Sequence, residues 1–303
     1  MANASSSQTK LGLIAETIFG TTPSTPELTA QRFSSAQFTL SREELLDPSI
    51  TGQRDYTYVQ LGNNSVEGQI SGPLSHDNYD LLMESALFST FTANVLKNSN
   101  VRKSFTMEIG QPDVPSYSQY TGCVVNGMTV NAPVDGNAEI SFDLLALTET
   151  LGTATIDTSG TYTTQAARQP FTHSCGLISE GGSPIAYVNG VTFTSTNGIS
   201  PQYYWGGCNT GDLIANRFDV TGTLDVFFAN NTLLNKFKNA TYSSLSFTLN
   251  DNEARTLTFS LPKIMYTGAD APRNGDGPVI ISLPFRAVYD TTAACTLSVT
   301  RSA

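Results

Sequence analysis

Residues 66–87 read VEGQISGPLSHDNYDLLMESAL, and residues 220–241 read VTGTLDVFFANNTLLNKFKNAT. Each stretch begins with Val-x-Gly-x and then Ile or Leu, so that small or apolar residues alternate with polar ones as along a half-buried strand. Each then continues into a segment with helical spacing. The pattern therefore occurs twice, 154 residues apart from Val66 to Val220, and this predicts a duplicated unit.

The helical part of the first stretch carries one apolar stripe. Its members recur at the i, i+3, i+4, i+7 spacing of an amphipathic helix: Tyr79, Leu82, Met83, Ala86 and Leu87. Ser75 precedes them and is a residue type that favours the N-cap, which predicts that the helix begins there. In the second stretch Leu233, Leu234 and Phe237 form a shorter stripe.

Further matches follow the same order along the chain. They are RFSSAQFTLS (32–41) with YVNGVTFTST (187–196), KSFTMEI (103–109) with LSFTLN (245–250), and GNAEISFDLLAL (136–147) with GPVIISLPFRAV (277–288). We therefore predict an all-β fold with one flanking helix per repeat, arranged as tandem duplicated β-sandwich or barrel-like domains. The predicted first copy is 1–150 with an N-terminal arm of about residues 1–30, followed by a linker at 151–168 and a second copy at 169–303. The alternative is that any all-β chain yields such echoes.

The charge balance argues against a protein that grips nucleic acid. The net charge is -10, and such proteins carry basic surfaces. Residues 1–150 hold 7 basic against 16 acidic residues, or -9, and the rest hold 9 against 10, or -1. Only 14% of residues are charged, which suits short strands joined by turns, or surfaces hidden in an assembly.

The sequence contains no recognisable catalytic, cofactor or metal motif. There are two histidines, and the four cysteines lie too far apart for a CxxC site. His173 lies two residues from Cys175, but nothing else supports a Cys–His nucleophile there. No apolar run reaches about 18 residues, so no membrane insertion is expected. We expect no enzyme activity, no cofactor and no bound metal.

The first part of the chain resembles a known family. The residues that carry the resemblance are Glu16-Thr-Ile-Phe-Gly-Thr-Thr-Pro23 with Pro26, a loop bearing Arg54, the Val66-x-Gly68 strand, and Leu74-Ser75 before Tyr79-Asp80. Over about residues 10–90 the chain resembles the major tail tube proteins of long, non-contractile-tailed bacteriophages.

The resemblance implies a structural virion protein rather than an enzyme. Such proteins self-assemble into rings that stack around a channel through which the genome reaches the host. The implied partners are other copies of the chain, tail tip and tail terminator or completion proteins, the tape-measure protein, and genomic DNA that passes without specific binding. The implied location is the virion tail, after synthesis in the host bacterial cytoplasm. In this family a long early loop and the N-terminal arm make inter-ring contacts, which here makes candidates of Phe19, Thr22, Pro23, Arg42, Glu43, Glu44, Asp47, Arg54 and Asp55.

A channel that passes DNA must not hold it, because a wall rich in lysine or arginine binds phosphate with salt-dependent affinity. Acidic or neutral strand faces are therefore expected to line the lumen. The candidates are Glu67, Gln69, Glu108, Glu139, Asp143, Asp219 and Asp225. The alternative is that these are simply the solvent-facing positions of half-buried strands.

Two domains per chain predict a ring of three chains with pseudo-six-fold symmetry. If the second half is instead an unrelated decoration, a ring of six chains is expected. Two other functions remain open from the residues alone. One is a carbohydrate-binding β-sandwich module or adhesin, and the other is a glycan hydrolase with paired carboxylates.

Overall fold

Strands dominate the structure. The computed structural model describes residues 3–185, 187–270 and 277–302, with the side chains of residues 173–175 excluded, so the His173 and Cys175 pair lies outside the described side chains. The strands of the first half are β1 Lys10–Ala15, β2 Thr29–Ala30, β3 Ser35–Leu46, β4 Val59–Pro73, β5 Val95–Lys97, β6 Phe105–Gln111, β7 Ser116–Pro133, β8 Glu139–Ala146 and β9 Thr148–Gly152. Those of the second half are β10 Thr172–Glu180, β11 Ser183–Pro184, β12 Val188–Thr196, β13 Ser200–Gln202, β14 Asp212–Ile214, β15 Asp219–Phe227, β16 Ser243–Asn250, β17 Thr256–Tyr266, β18 Ile280–Ala287 and β19 Ser298–Arg301. The helices are α1 Asp80–Leu87 and α2 Thr232–Lys238, with a short 3-10 turn at Ser6–Gln8.

The two halves pair their strands in the same order. In the first half the antiparallel order is β1–β6–β7–β8–β4–β3. In the second half it is β10–β16–β17–β18–β15–β12. The helix follows the fifth strand of that order in both cases, so the predicted all-β fold with flanking helices is confirmed.

The Val-x-Gly strands also have the same register in both halves. Gly68 lies opposite Leu144 in the first half, and Gly222 lies opposite Phe285 in the second. The glycines are 154 residues apart and their partners 141 apart, which are the offsets of the corresponding sequence matches. The side-chain alternation along each strand is therefore equivalent in the two halves.

The halves are joined by a strand pair that we call the internal joint. It consists of residues 127–133 of β7, which pair antiparallel with residues 190–196 of β12. One continuous sheet thus runs through both halves in the order β3–β4–β8–β7–β12–β15–β18. At the chain's end β19 pairs with both β17 and β5, which ties the second half back to the first.

The predicted stripe of the first helix is confirmed as core. Tyr79, Leu82, Met83, Ala86 and Leu87 are each at most 1% exposed. The predicted start at Ser75 is wrong, because α1 begins at Asp80. Ser75 instead forms an isolated strand bridge with Pro170, and its hydroxyl accepts a hydrogen bond from Asn78. A tertiary contact has therefore displaced the local capping preference.

The second helix covers its sheet less completely. No residue of α2 is fully buried, and Leu233, Leu234 and Phe237 are half-buried against the core. The helix ends within two turns, so it presents only one short row of apolar side chains. The core of the second half depends more on an aromatic cluster, in which the rings of Phe193, Phe247 and Phe259 lie 5.1 to 5.9 Å apart.

The predicted N-terminal arm of about residues 1–30, which we call the lead-in, and the predicted linker at 151–168 both lie on the first half. The predicted N-terminal arm includes the strand β1, whose Leu11 and Leu13 are buried. Residues of the predicted linker pair with the lead-in: Thr163 forms a bridge with Thr29, and the carboxylate of Asp157 accepts the backbone N–H of Leu28. These segments therefore add to the packing of the first half rather than extending away from it.

Burial of the Tyr79 phenol predicts a loss of stability in alkali. Burial keeps the phenolate away from water and raises the pKa of Tyr79 to about 12. In the unfolded chain the pKa is about 10. Below pH 10 the residue is neutral in both states and the contribution is fully present. Between pH 10 and 12 only the unfolded chain loses the proton, so we expect the free energy of unfolding to fall by up to about 3 kcal/mol from this group.

Urea unfolding followed from neutral pH to pH 12 measures this effect, and Tyr79→Phe is the control. The described residues provide no hydrogen-bond partner for the Tyr79 hydroxyl, so the variant should fold. Its stability should decline less steeply above pH 10. Some decline remains, because burial also raises the pKa of Tyr120 and Tyr266. Parallel curves for the variant and the original chain would contradict the assignment.

Candidate functional site

One face of the continuous sheet is polar through both halves, and we call it the polar face. Along each of its strands the polar side chains alternate with core residues, as Glu67 and Gln69 do with Val66 and Ile70. The strand registers place six of the seven predicted lumen residues on this one face. They are Glu67, Gln69, Glu139, Asp143, Asp219 and Asp225, all exposed or half-buried.

The polar face crosses the internal joint without a break. The hydroxyl oxygens of Thr129 on β7 and Thr194 on β12 lie 2.8 Å apart. The hydroxyl of Thr192 donates to the side-chain oxygen of Asn131 at 2.9 Å. Hydrogen bonds between side chains thus reinforce the backbone ladder at the place where the two halves meet.

The polar face is acidic on both sides of the internal joint and neutral at the joint itself. Five carboxylates lie on it, and among the described residues of its seven strands Arg286 is the one basic side chain on this face. Arg286 lies 3.2 Å from Asp219, and both are about half exposed, so solvent and salt weaken the pair. The face consequently carries an excess of negative charge and a band of threonine hydroxyls.

The seventh predicted lumen residue, Glu108, does not lie on a surface, and that expectation is corrected. Glu108 is 0% exposed, because segment 155–162 covers the second face of β6. Its carboxylate accepts hydrogen bonds from Thr155, from the backbone N–H of Ile156 and from the Tyr162 hydroxyl. A carboxylate satisfied in this way anchors the linker segment and cannot face a channel.

The long connection between β3 and β4 forms a projecting antiparallel hairpin, residues 41–65, which we call the hairpin arm. Strand pairing continues outward to Leu46 and Val59. Beyond the sheet its apolar side chains remain exposed, among them Ile50 at 99%, Tyr56 at 70% and Tyr58 at 68%. The arm carries the six predicted charged contact residues: Arg42, Glu43, Glu44, Asp47, Arg54 and Asp55.

The three predicted contact residues of the lead-in are half-buried against their own chain. The Arg102 guanidinium lies 3.6 Å from the centre of the Phe19 ring. The Thr22 hydroxyl accepts a hydrogen bond from the Gln119 side-chain amide at 3.0 Å and shares another with the Thr106 hydroxyl at 3.1 Å. Pro23 lies beside them and is also half-buried. The lead-in therefore presents less free surface than the hairpin arm.

Glu16 holds the lead-in in place, and reasoning from the sequence missed its role. Its carboxylate accepts hydrogen bonds at 2.8 Å from the backbone N–H groups of Gly20 and Gly122 and from the hydroxyls of Ser104 and Thr106. Glu16 belongs to the ETIFGTTP stretch that carries the family resemblance, but no local spacing predicts four partners from three segments.

A second exposed aromatic feature lies beside the hairpin arm. The hairpin of β13 and β14 carries Trp205, which is fully exposed, and Tyr204, which is 60% exposed. Its connecting loop is held to the arm, since the N–H of Asn64 donates to the carbonyl of Cys208 at 2.8 Å. It also packs on the first half through the ion pair of Arg102 with Asp212, 2.7 Å apart. The connection from β3 to β4 and the connection from β12 to β15 thus project on the same side.

The described residues offer little reactive chemistry. No group of three His, Cys, Asp or Glu side chains among them could hold a metal ion. Cys123 and Cys295 are buried, and burial raises the pKa of both thiols, which disfavours the reactive thiolate. Within the same described part, none of the helices has the length and apolar character needed to cross a membrane.

Comparison with known protein families matches residues 6–287 to one family, described as phage tail tube protein. The match spans both halves, the polar face and the hairpin arm. No curated protein matches the chain. Because the match covers nearly the whole chain, the resemblance seen over its first part extends to the second half. The chain belongs to the phage tail tube protein family.

Proposed function

We propose that the chain assembles into rings that stack into the tail tube, with the polar face turned towards the channel that carries the genome. Membership of the family makes the protein a structural component of the virion tail. The observation that carries the finer proposal is the polar face itself, which is continuous across both halves and opposite to the packed core.

The chain consists, in this proposal, of two tube-domain copies, 1–150 and 169–303, with residues 151–168 as the linker. The equal pairing order and the equal register of Gly68 and Gly222 support duplication, since chance echoes in a β-rich chain need not pair alike. The internal joint then represents the contact between neighbouring copies in a ring. Each chain supplies one such contact internally and requires a second with its neighbour.

Strand number favours one ring size. Each chain supplies eight strands to the wall, namely the seven of the polar face and β17, whose continuation pairs with β18 as far as Asp270. Three chains give 24 strands, about 115 Å around and about 37 Å across at about 4.8 Å per strand. Side chains about 5 Å deep on each side leave roughly 27 Å, which admits duplex DNA. Two chains would leave only about 14 Å by the same estimate, and six chains of eight strands each would leave about 63 Å, more than twice the opening of three. Three chains with pseudo-six-fold symmetry are therefore proposed ahead of six.

The charge of the polar face suits passage without binding. Phosphates that meet carboxylates and threonine hydroxyls find few cations to hold them. Glu67, Gln69, Glu139, Asp143, Asp219 and Asp225 form the proposed wall, and Glu108 is left out because it is buried. Along the axis, the hairpin arm supplies the contact between successive rings, because it is the longest exposed apolar projection of the described residues.

The other partners follow from a tube of this kind. We propose that it holds the tape-measure protein before the genome passes, and that tip and terminator proteins close its two ends. Synthesis takes place in the host cytoplasm. Trp205 and Tyr204 favour a second candidate, carbohydrate binding by an exposed aromatic surface. The mass of the particle separates the two, because a glycan-binding module would remain a monomer.

Electron microscopy of the purified protein, together with a mass measurement, tests the proposal. Rings of three chains with a central opening that admits duplex DNA are the expected result. A particle that remains monomeric at every concentration would overturn it. Rings of six chains would retain the tube function and reject the count of two copies per chain.

Charge reversal on the polar face should convert a passive wall into one that binds DNA. With Glu67→Lys and Glu139→Lys, three chains place six lysines on each ring, and contacts of that number give binding that weakens by about 10³-fold or more between about 50 and 200 mM salt. We expect tubes to assemble normally and DNA ejection from variant phage to slow, most strongly at low salt. Ejection rate against salt concentration is the measurement.

The matched control is Glu27→Lys with Glu253→Lys, which changes the net charge equally at exposed positions away from the polar face. The control should eject DNA at the original rate. Equal slowing in both variants would show that total charge, and not the polar face, governs passage. Failure of the Glu67 and Glu139 variant to assemble would place these residues in a contact instead of the lumen.

A further inference from the structure

We infer that neighbouring chains join through an antiparallel pairing of one chain's β3 with the segment after β17 of the next, with Thr39 opposite Asp270, Leu40 opposite Ala269 and Ser41 opposite Gly268. This inference rests on the proposed ring and specifies its contact residue by residue. The internal joint is the template, since the same two kinds of strand already pair there within one chain.

The outer edge of β3 in the first half corresponds to an edge of β12 in the second. β3 corresponds to β12, because Phe38 and Phe193 lie opposite the equivalent glycines Gly68 and Gly222. The offset between the phenylalanines is 155 residues. β12 uses its second edge to pair with β7, whereas β3 pairs only with β4 among the described residues. The outer edge of β3 therefore corresponds to the edge of β12 that forms the internal joint, but it has no partner strand among the described residues.

The counterpart of β7 in the second half is β17 together with the residues that follow it. In the first half Thr129 of β7 lies opposite Ser141, and in the second half Asp270 forms a bridge with Ser282. Both members of the pair are displaced by 141 residues. Residues 268–270 therefore continue β17 in the position that residues 127–129 have in β7.

The register then follows from the template. At the internal joint Thr194 lies opposite Thr129, and Ser195 lies opposite Met128. The residue of β3 that corresponds to a residue of β12 lies 155 positions earlier in the chain, and the residue that corresponds to one of β7 lies 141 positions later. The first pair therefore becomes Thr39 with Asp270. The second becomes Leu40 with Ala269 by the same displacements.

The chemistry of these residues fits a contact. Leu40 is 45% exposed in the single chain and would become covered, while Ala269 is half-buried against the core. Thr39 and Asp270 are exposed on the polar side. A threonine hydroxyl that donates to the Asp270 carboxylate would replace the hydroxyl pair of the internal joint by a charge-assisted hydrogen bond. An unpaired edge strand is otherwise a risk of uncontrolled association, which pairing within a closed ring removes.

Cysteine cross-linking tests the register. Thr39→Cys with Asp270→Cys, in a chain that also carries Cys208→Ser to remove the thiol that is exposed among the described side chains, is oxidised after assembly and examined on a denaturing gel without reductant. Directly opposed positions have Cβ atoms about 4.5 to 5.5 Å apart, close to disulfide range, whereas diagonal positions are about 7 Å or more apart. Most chains should appear as a covalent species of three.

Two controls and a second in-register pair accompany this variant. Gln37→Cys with Asp270→Cys is two residues out of register on the same face and should cross-link little. Thr129→Cys with Thr194→Cys should close within one chain and leave its mass unchanged, since these hydroxyls are 2.8 Å apart. Leu40→Cys with Ala269→Cys tests the opposite side of the same pairing if the first variant assembles poorly.

The outcomes are distinguishable. Cross-linking between chains of both in-register pairs, and not of the Gln37 and Asp270 pair, supports the joint. Rings seen by electron microscopy that cross-link only through Gln37, or through none of these pairs, overturn the joint and leave the tail tube function standing. Absence of rings in the original chain overturns both.

Discussion

Replacement of Gly222 by alanine is expected to destabilise the chain by about 3 kcal/mol, the upper part of the range for overpacking a core. A Cβ atom at this position would lie 2.5 Å from the Phe285 ring, 2.6 Å from the carbonyl oxygen of Thr192 and 2.9 Å from the Cβ of Phe193. The second of these is a backbone atom in the neighbouring strand. It cannot move without disturbing the β12–β15 ladder, so the clash is not relieved by a change of rotamer.

Gly190 on β12 provides the matched control. A Cβ atom there would meet only the carbonyl oxygen of Ala132, at an ordinary 3.7 Å. Alanine at this position also restricts the unfolded chain, so the change in stability should be within about 1 kcal/mol and can be favourable. The midpoint of urea unfolding measures both variants. Similar midpoints would show that the sheet yields at Gly222 and that the Val-x-Gly pattern is not a packing requirement.

Removal of the tip of the hairpin arm is expected to abolish stacking while rings still form. Leu46 and Val59 are a directly opposed pair, so replacing residues 47–58 by Asn-Gly closes the hairpin with a two-residue turn in the same register. The deletion removes Asp47, Arg54 and Asp55 together with the exposed Ile50 and Tyr56. Few contacts within the chain are lost, so folding should be unaffected and the proposed inter-ring surface should disappear.

The lengths of assembled particles in electron micrographs measure this result. Single or short stacks of rings are expected in place of tubes. Ile50→Ser provides a milder control that keeps the backbone of the arm and removes one apolar side chain that is 99% exposed, and it should shorten tubes without abolishing them. Full-length tubes from the deleted chain would exclude the arm as the stacking contact. A loss of rings as well would assign the arm to contacts within the ring.

Much of the fold was predictable because it depends on local periodicity. The alternation of Val66, Gly68 and Ile70 with Glu67 and Gln69 predicts both faces of β4. All five predicted stripe residues, four in α1 and Tyr79 just before it, are buried as predicted. The start of α1 was not predictable in the same way. Ser75 has an N-cap preference of about 1 kcal/mol, and its contact with Pro170, 95 residues later, outweighs that preference.

The residues of the proposed wall were likewise predictable only in part from the sequence. Glu67 and Glu108 both occupy the polar position of an alternating strand, and the sequence does not distinguish them. The structure does, because Thr155, Ile156 and Tyr162 cover the second face of β6. In the sequence Trp205 stands before Gly206 and Gly207, but its full exposure depends on where the β13–β14 hairpin lies.

The sequence by itself therefore determined the alternation of each strand, the apolar stripe of α1, the acidic balance, and the repeated order that the Val-x-Gly stretches introduce. These properties depend on residues a few positions apart, whose side chains meet the same face whatever the rest of the chain does. The tertiary structure alone decided which polar faces are covered, that β7 and β12 join the halves, and which edges remain unpaired. Those outcomes depend on contacts between residues far apart in the chain, and a strand's own residues do not specify its partner.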